Sequence, residues 1–386
     1  MKTSITTFCC CLALLVIHTS AGYGQTDTSF KPSGKLNLLL FGDYSYKLHA
    51  DSANRGLGQY SGVPKAFANF QIRRFYLGYN YDLSPNFTTE FLLAYEDGGG
   101  ASATLDAGSE RSFYLKFANI RWKNILPGQD VVFGAQPTQA FVTSSEKVWL
   151  YRSIEKTLLD KNKIAGASDI GIALQGAFDE KNFGYDILYG NGSAQKLEND
   201  KFKKLSGDLW AKFLDKRIIV QFYADLNRTS DVPAKDNSTL KLMLAYQTKP
   251  LTIGVEGFLQ TQANAVIRAA KVQDSSGSTE TLDIKPQGIS VFIEAQLLEN
   301  TLNGFLRYDL FDPDHNFDGN LVGYPAGYSS SKESFIVGGL DWTPYPNIHI
   351  MPNLWYTGYS SKADGSSGKL QSDNDFVSRI TVFYKF

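Results

Sequence analysis

The chain is poor in cysteine, histidine and methionine, and neither sign of charge dominates it. Its three cysteines, Cys9, Cys10 and Cys11, crowd the amino terminus, so a mature form without that stretch has nothing with which to build a disulfide framework. A lipid anchor would need its cysteine at the cleavage point behind the apolar run, whereas these sit before or inside it. Basic residues number 38 against 39 acidic, a balance that argues against a nucleic-acid partner. No apolar run of about 18 residues follows Gly22, which excludes membrane-spanning helices. His49, His315 and His349 stand in separate segments with no nucleophile at a suggestive spacing, so an enzyme is not expected.

What is present starts with Met1 and Lys2 ahead of an apolar run at 5–17 and small residues at Ser20, Ala21, Gly22 and Gly24. This pattern predicts a signal peptide over 1–24. A short segment over 25–34 and one large unit over 35–386 follow.

Within that unit the chain is rich in Tyr (21), Phe (26) and Gly (34), the residues of strands, bends and aromatic belts. In the last stretch Phe386, Tyr384, Val382 and Ile380 alternate with Lys385, Phe383, Thr381 and Arg379. Residues two apart share one face of a strand, so one face is apolar and the other carries the charges. A terminal Phe preceded by Tyr384 at an alternate position also matches the signal read by the outer-membrane barrel assembly machinery.

The same alternation recurs at 35–47, 69–83, 87–95, 112–122, 131–136, 168–178, 183–189, 204–213, 217–226, 238–248, 251–262, 288–298, 302–310, 334–343, 348–359 and 376–386. Short turns and long connections alternate between these strands, as they do in outer-membrane barrels. The predicted fold is all-β: a transmembrane antiparallel β-barrel of sixteen strands. Alternation turns Ile289, Val291 and Ile293 toward lipid and Arg74, Lys116, Asp186, Asp208, Lys212, Asp225, Lys241, Glu256, Arg307, Asp341 and Arg379 toward a lumen. A lumen lined by both signs is wet, and barrels of about 16 strands leave an aqueous channel.

The third long connection, 137–167, exceeds the length expected of a structureless loop. Thr143 and Glu146 form a capping-box pattern, and Val148, Tyr151, Ile154 and Leu158 recur at helical spacing, so one amphipathic helix is expected. Folded into the lumen, it would bring Lys147, Arg152, Lys156, Lys161 and Lys163 to a constriction together with Glu146, Glu155, Asp160 and Asp169. A solvated outer loop or an oligomer contact is the alternative. Near the other end Asp314, Asn316, Asp318 and Gly319 match the start of a calcium loop, but Pro325 stands where the bidentate Glu belongs. Apart from calcium there, no cofactor is expected.

Five stretches, Ile72-Arg-Arg-Phe-Tyr-Leu-Gly78, Val132-Phe-Gly-Ala-Gln-Pro-Thr-Gln-Ala-Phe141, Asp169-Ile-Gly-Ile-Ala-Leu-Gln-Gly176, Tyr185-Asp-Ile-Leu-Tyr-Gly-Asn-Gly192 and Arg307-Tyr-Asp-Leu-Phe-Asp-Pro313, spread over most of the mature chain. In order and spacing they resemble the phosphate-selective porin O and P family in the form found in Bacteroidetes-type bacteria. The resemblance implies a homotrimeric sixteen-stranded porin of a Gram-negative outer membrane, with the third loop folded inward. It would pass small hydrophilic solutes by passive diffusion. The family's phosphate preference rests on a dense basic cluster where this chain alternates signs, so an anion or phosphate preference stays open. The other readings are a structural or adhesive barrel without conductance and a barrel-embedded enzyme.

Overall fold

The computed structural model describes residues 30–96, 113–194, 196–228, 236–267, 281–317, 331–362 and 372–386. The expected signal peptide lies outside them. Seventeen antiparallel strands form a single sheet. They are β1 (Ser33–His49), β2 (Ala68–Asp82), β3 (Phe87–Glu96), β4 (Tyr114–Leu126), β5 (Gln129–Pro137), β6 (Ser168–Phe178), β7 (Phe183–Gly190), β8 (Lys204–Phe213) and β9 (Ile218–Asn227). The remainder are β10 (Asn237–Gln247), β11 (Leu251–Ile267), β12 (Thr281–Ile284), β13 (Gln287–Leu298), β14 (Leu302–Asp312), β15 (Ser331–Tyr345), β16 (Ile348–Ser361) and β17 (Asp373–Lys385).

Apart from β12, which pairs with β11 while β11 also pairs with β13, each strand pairs with its neighbours in sequence, and β1 pairs with both β2 and β17, so the sheet closes on itself. Closure removes the unpaired edges that an open sheet would expose. At the seam the backbones of Leu38 and Phe386 exchange two hydrogen bonds of 3.0 Å, so the terminal residue itself completes the ladder. Sixteen strands make the wall. The sequence pattern does not reveal β12, a short strand that pairs with the far end of an extended β11.

Alternation sorts the wall into two faces. On β10, Leu240, Leu242, Leu244 and Tyr246 are exposed, while Thr239, Lys241, Met243 and Ala245 between them are buried. The expected outward Ile289, Val291 and Ile293 are exposed, and the expected inward Arg74, Lys116, Asp186, Asp208, Asp225, Lys241, Glu256, Arg307, Asp341 and Arg379 are buried. Exposed apolar side chains on strand after strand form an outward belt. On an isolated soluble protein, a surface of this kind would drive association.

One phase break departs from simple alternation. Ile72 pairs with Gly42 and Arg74 with Phe41, which leaves Arg73 as an extra residue in β2. Such a bulge turns consecutive side chains to the same face. Arg73 and Arg74 are therefore both buried, and the outward set shifts from Phe70 and Ile72 to Leu77 and Tyr79. Gly42 makes room for the bulge, since a Cβ there would collide with the Gln71 carbonyl oxygen.

The expected single helix in 137–167 does not form. Two four-residue helices stand there, α1 (Ser145–Val148) and α2 (Leu158–Lys161), with turns between them. Ser144 precedes α1 and makes no side-chain cap, and Glu146 pairs with Arg152 instead of reaching back to close the box. The physical reason lies in the wall. Arg73 donates to the Ser153 carbonyl, Arg379 to Ile154 O at 2.7 Å and Arg307 to Lys156 O at 2.5 Å. A helix through this stretch would need those carbonyls for its own ladder, and buried guanidinium donors are the stronger partners.

Candidate functional site

The segment 138–167 packs on the buried face of the wall. Trp149 lies against Phe292 and Phe305, and Tyr151 stacks on Phe305 with ring centroids 4.4 Å apart. Val148, Ile154, Met243, Phe335, Val337, Met351, Trp355 and Val377 complete this cluster. A second cluster joins Phe141, Leu158 and Leu159 to Tyr223, Phe258 and Phe311. The inner face therefore carries apolar clusters beside its charged residues. The apolar part of the inner wall is the part that the segment covers, which is where burial of apolar area is most favourable.

Polar contacts extend the docking across many strands. Lys241 Nζ donates to Ala140 O at 2.6 Å, and Glu256 accepts from Ser145 Oγ at 2.5 Å and from the Leu158 backbone N–H at 3.1 Å. Trp355 Nε1 donates to Glu155 at 2.9 Å, and Gln260 donates to Ile164 O at 3.0 Å. Burial would raise the Glu155 carboxyl, but the charges of Lys161 and Arg379 outweigh it and hold the group below the usual range.

The connection between β1 and β2, one of the long connections of the sequence pattern, also packs on the buried face of the wall. Tyr60 sets its ring edge-on to Trp355 at 5.2 Å, and Lys47 Nζ donates to Tyr60 O at 2.6 Å. Arg73 donates to Gln59 at 3.0 Å as well as to Ser153 O, so one side chain ties both segments to the wall.

The structure divides the basic residues singled out from the sequence into three groups. Lys161, Arg307 and Arg379 are buried struts. Lys161 pairs with Glu333 at 3.3 Å, Arg307 with Asp309 at 2.6 Å, and Arg379 binds Asn353 at 2.8 Å. Lys147 and Lys163 are exposed.

Arg74, Lys116, Arg152 and Lys156 come together. On the wall, Arg74 and Lys116 both donate to the Tyr76 hydroxyl, at 3.0 and 2.9 Å, and both pair with Glu96. On the segment, Arg152 pairs with Glu146 and, at 3.1 Å, with Asp160, while Lys156 stands 4.0 Å from Asp160. Lys156 feels the charges of Arg74 and Glu96 across the gap. Its ammonium is lowered by burial, an effect that Asp160 opposes. Four cations thus stand with three carboxylates, Glu96, Glu146 and Asp160.

Arg73 escapes a reading based on strict alternation; Asp43 and Glu96 follow alternation but are not among the residues singled out from the sequence. The shift of outward apolar residues from even to odd numbers along β2 is the signal that could have found Arg73.

Of the expected calcium ligands, Asp314 accepts from the backbone N–H groups of Lys285 at 3.0 Å and Asn316 at 3.1 Å, as in an ordinary Asx turn. Asn316 is exposed, and Asp312 just upstream pairs with Lys362. Asp318 lies outside the described residues. His349 Nδ1 meets Asp341 at 2.9 Å and Thr343 at 3.4 Å, so one ring nitrogen faces both groups. A relay would need them on opposite nitrogens.

No protein-family model matches the chain, and no curated protein does. Among solved structures, it is similar to the outer-membrane channel DcaP of Acinetobacter baumannii, at 12% identity with a TM-score of 0.64, over 93% of this chain and 99% of that one. It is also similar to an anion-selective porin from Comamonas acidovorans, at 14% identity with a TM-score of 0.57, over 92% of this chain and 100% of that one. Salmonella typhi OmpF is a third, at 10% identity with a TM-score of 0.56, over 92% and 97%. At such identities the likeness speaks for architecture, and it agrees with the strand order and closure above: the chain folds as a closed sixteen-stranded antiparallel β-barrel.

Proposed function

We propose that the protein is an outer-membrane porin through which small hydrophilic solutes diffuse passively, with a preference for anions. The observation that carries this reading is the meeting of Arg74, Lys116, Arg152 and Lys156 with Glu96, Glu146 and Asp160 on the inner face of a barrel of this size. We take the segment 138–167 to narrow the bore, leaving this group as its eyelet. Four cations against three carboxylates give a net positive passage, and a narrow passage of low dielectric amplifies that sign. The exposed Lys147 and Lys163 add to it. The outward apolar belt supports residence in lipid, and with an even-stranded single-chain barrel it supports the outer membrane of a Gram-negative cell. The signal peptide over 1–24, recognition of Tyr384 and Phe386 by the assembly machinery, and a homotrimer belong to the same reading. Enzymatic activity does not.

The test is the reversal potential of the protein in a planar bilayer under a potassium chloride gradient, with phosphate then titrated in. Anion selectivity that falls when Lys156 is changed to Glu supports the reading. A block by phosphate at low concentration would add phosphate preference, and its absence would leave a general anion-leaning porin. The second reading, a structural or adhesive barrel, rests on the packing of 138–167 and of the β1–β2 connection on the buried face of the wall. It predicts no conductance at all.

A further inference from the structure

Asp186 on β7 and Asp208 on β8 are direct cross-strand partners on the inner face, and both are buried. Like charges placed directly opposite one another are destabilising. Other buried carboxylates on this face meet a cation, as Asp309 meets Arg307, Glu256 meets Lys241 and Glu333 meets Lys161. The side-chain hydrogen-bond partners of this pair are neutral amides. Gln139 donates to Asp186 Oδ1 at 3.0 Å, Gln175 to Asp186 Oδ2 at 2.7 Å and Gln221 to Asp208 Oδ2 at 2.6 Å. Amide donors satisfy lone pairs but cancel no charge. Arg121, Lys147 and Lys241 act on the pair only from a distance, and the Lys241 ammonium is already committed to Glu256 and Ala140 O.

Two oxygens at this place lack a hydrogen-bond partner among the described residues. Asp208 Oδ1 is one, and Oε1 of Gln221 is the other, on a side chain only 1% exposed. The Gln221 Nε2 already donates both to Asp208 and to Gln139 O, at 3.1 Å, so the amide orientation is set and its oxygen is left without a donor on the same amide that touches Asp208. A buried carbonyl oxygen and a buried carboxylate oxygen without donors, beside two carboxyl groups that no cation pairs among the described residues, call for a positive, oxygen-seeking ligand.

We propose that Asp186, Asp208 and Gln221 bind a hard divalent cation of the calcium class. Two carboxylates and a neutral amide oxygen suit such an ion, with water completing its coordination. Gln139 belongs to the segment 138–167 and touches Asp186 through its side chain and Gln221 through its carbonyl. The ion therefore also holds the root of that segment to the wall. This site is separate from the Asp314 loop and does not depend on the porin reading.

The experiment is calorimetric titration of calcium chloride into the full-length barrel, purified in detergent, stripped with chelator and free of lipopolysaccharide. The expected result is one calcium per chain with a dissociation constant between about 10 µM and 1 mM. Affinity should fall at least tenfold in Asp208→Asn and be lost in Asp186→Asn/Asp208→Asn, while Asp314→Asn leaves it unchanged. Gln221→Leu keeps both carboxylates and should also weaken binding, which covers the case in which the double variant does not fold, as judged by heat-modifiable gel migration. No saturable heat in the unaltered protein overturns the proposal, because the pair would then be sharing a proton. Binding that survives both Asp208→Asn and Gln221→Leu, or that is lost in Asp314→Asn, overturns it too.

Discussion

Arg379 on the last strand donates to the carbonyl of Ile154 at 2.7 Å, so a side chain of the wall takes a hydrogen-bond acceptor that a helix would otherwise use. Arg379 also stands 4.0 Å from the buried Asp43, to which Arg73 is paired. Changing Arg379 to Met would leave Asp43 with one cation fewer and free the Ile154 carbonyl. Loss of a buried charge partner costs about 3–5 kcal/mol when nothing replaces it, and here Arg73 still pairs Asp43, so the loss should fall at or below the lower end. Limited proteolysis should cut within 149–157 in the variant and spare the unaltered barrel.

Trp149 is almost wholly buried between Phe292, Phe305 and the Arg307 guanidinium, whose carbon lies 5.4 Å from the indole centroid. Removing such a side chain costs about 3–5 kcal/mol. The strand ladders do not involve Trp149, so Trp149→Ala should undock 138–167 and leave the barrel closed. Single-channel recordings should then show a larger and noisier conductance, with heat-modifiable gel migration unchanged.

Gly42 lies opposite the bulge that turns both Arg73 and Arg74 inward. Val at this position would collide with the Gln71 carbonyl, and overpacking of this kind costs about 1–3 kcal/mol. Gly42→Val should lower the urea midpoint of unfolding from lipid bilayers, while Gly78→Val, placed away from the bulge, should lower it less.

Under the proposed porin reading, selectivity should follow the sign of the individual charges of this cluster. Glu96→Gln removes a carboxylate beside Arg74 and Lys116 and should move the reversal potential further toward anions. Arg152→Gln should move it toward cations. Both shifts should shrink as salt rises, because screening shortens the reach of the field.

The Glu155 carboxyl is held below its usual value of 4.5 by Lys161 and Arg379 against the opposing effect of burial. A depressed folded-state value means that the unfolded or undocked state binds the proton more readily. The stabilisation from Glu155 is therefore complete above the ordinary glutamate range and is lost as pH falls below it. Recordings at decreasing pH should show the segment loosening in the acid range, with noise rising below about pH 4. Glu155→Gln should flatten that dependence.

Strand number, closure and facing were legible in the sequence because alternation is a local property. Val291 and Phe292 need only their places in β13 to be assigned opposite faces, and Arg307 and Asp309 need only their spacing of two to share one, provided the count is unbroken. Val291 is exposed, and Phe292, Arg307 and Asp309 are buried. The broken count on β2 shows the limit of local reading, since strict alternation places Arg74 inside and Arg73 outside, while the bulge turns both inward.

The sequence by itself determined the barrel: the alternation, the turn chemistry and the apolar outward belt are each written in neighbouring residues. Only the tertiary structure decided what packs on the buried face of the wall. Val148, Tyr151, Ile154 and Leu158 carry a helical period, yet Ser153, Ile154 and Lys156 give their carbonyls to arginines that lie 80, 225 and 151 residues away in the chain. Asp186 and Asp208 read as two inward charges among many until the strand register sets them opposite each other. Contacts of that kind depend on which distant strands closure brings together, and no local pattern encodes them.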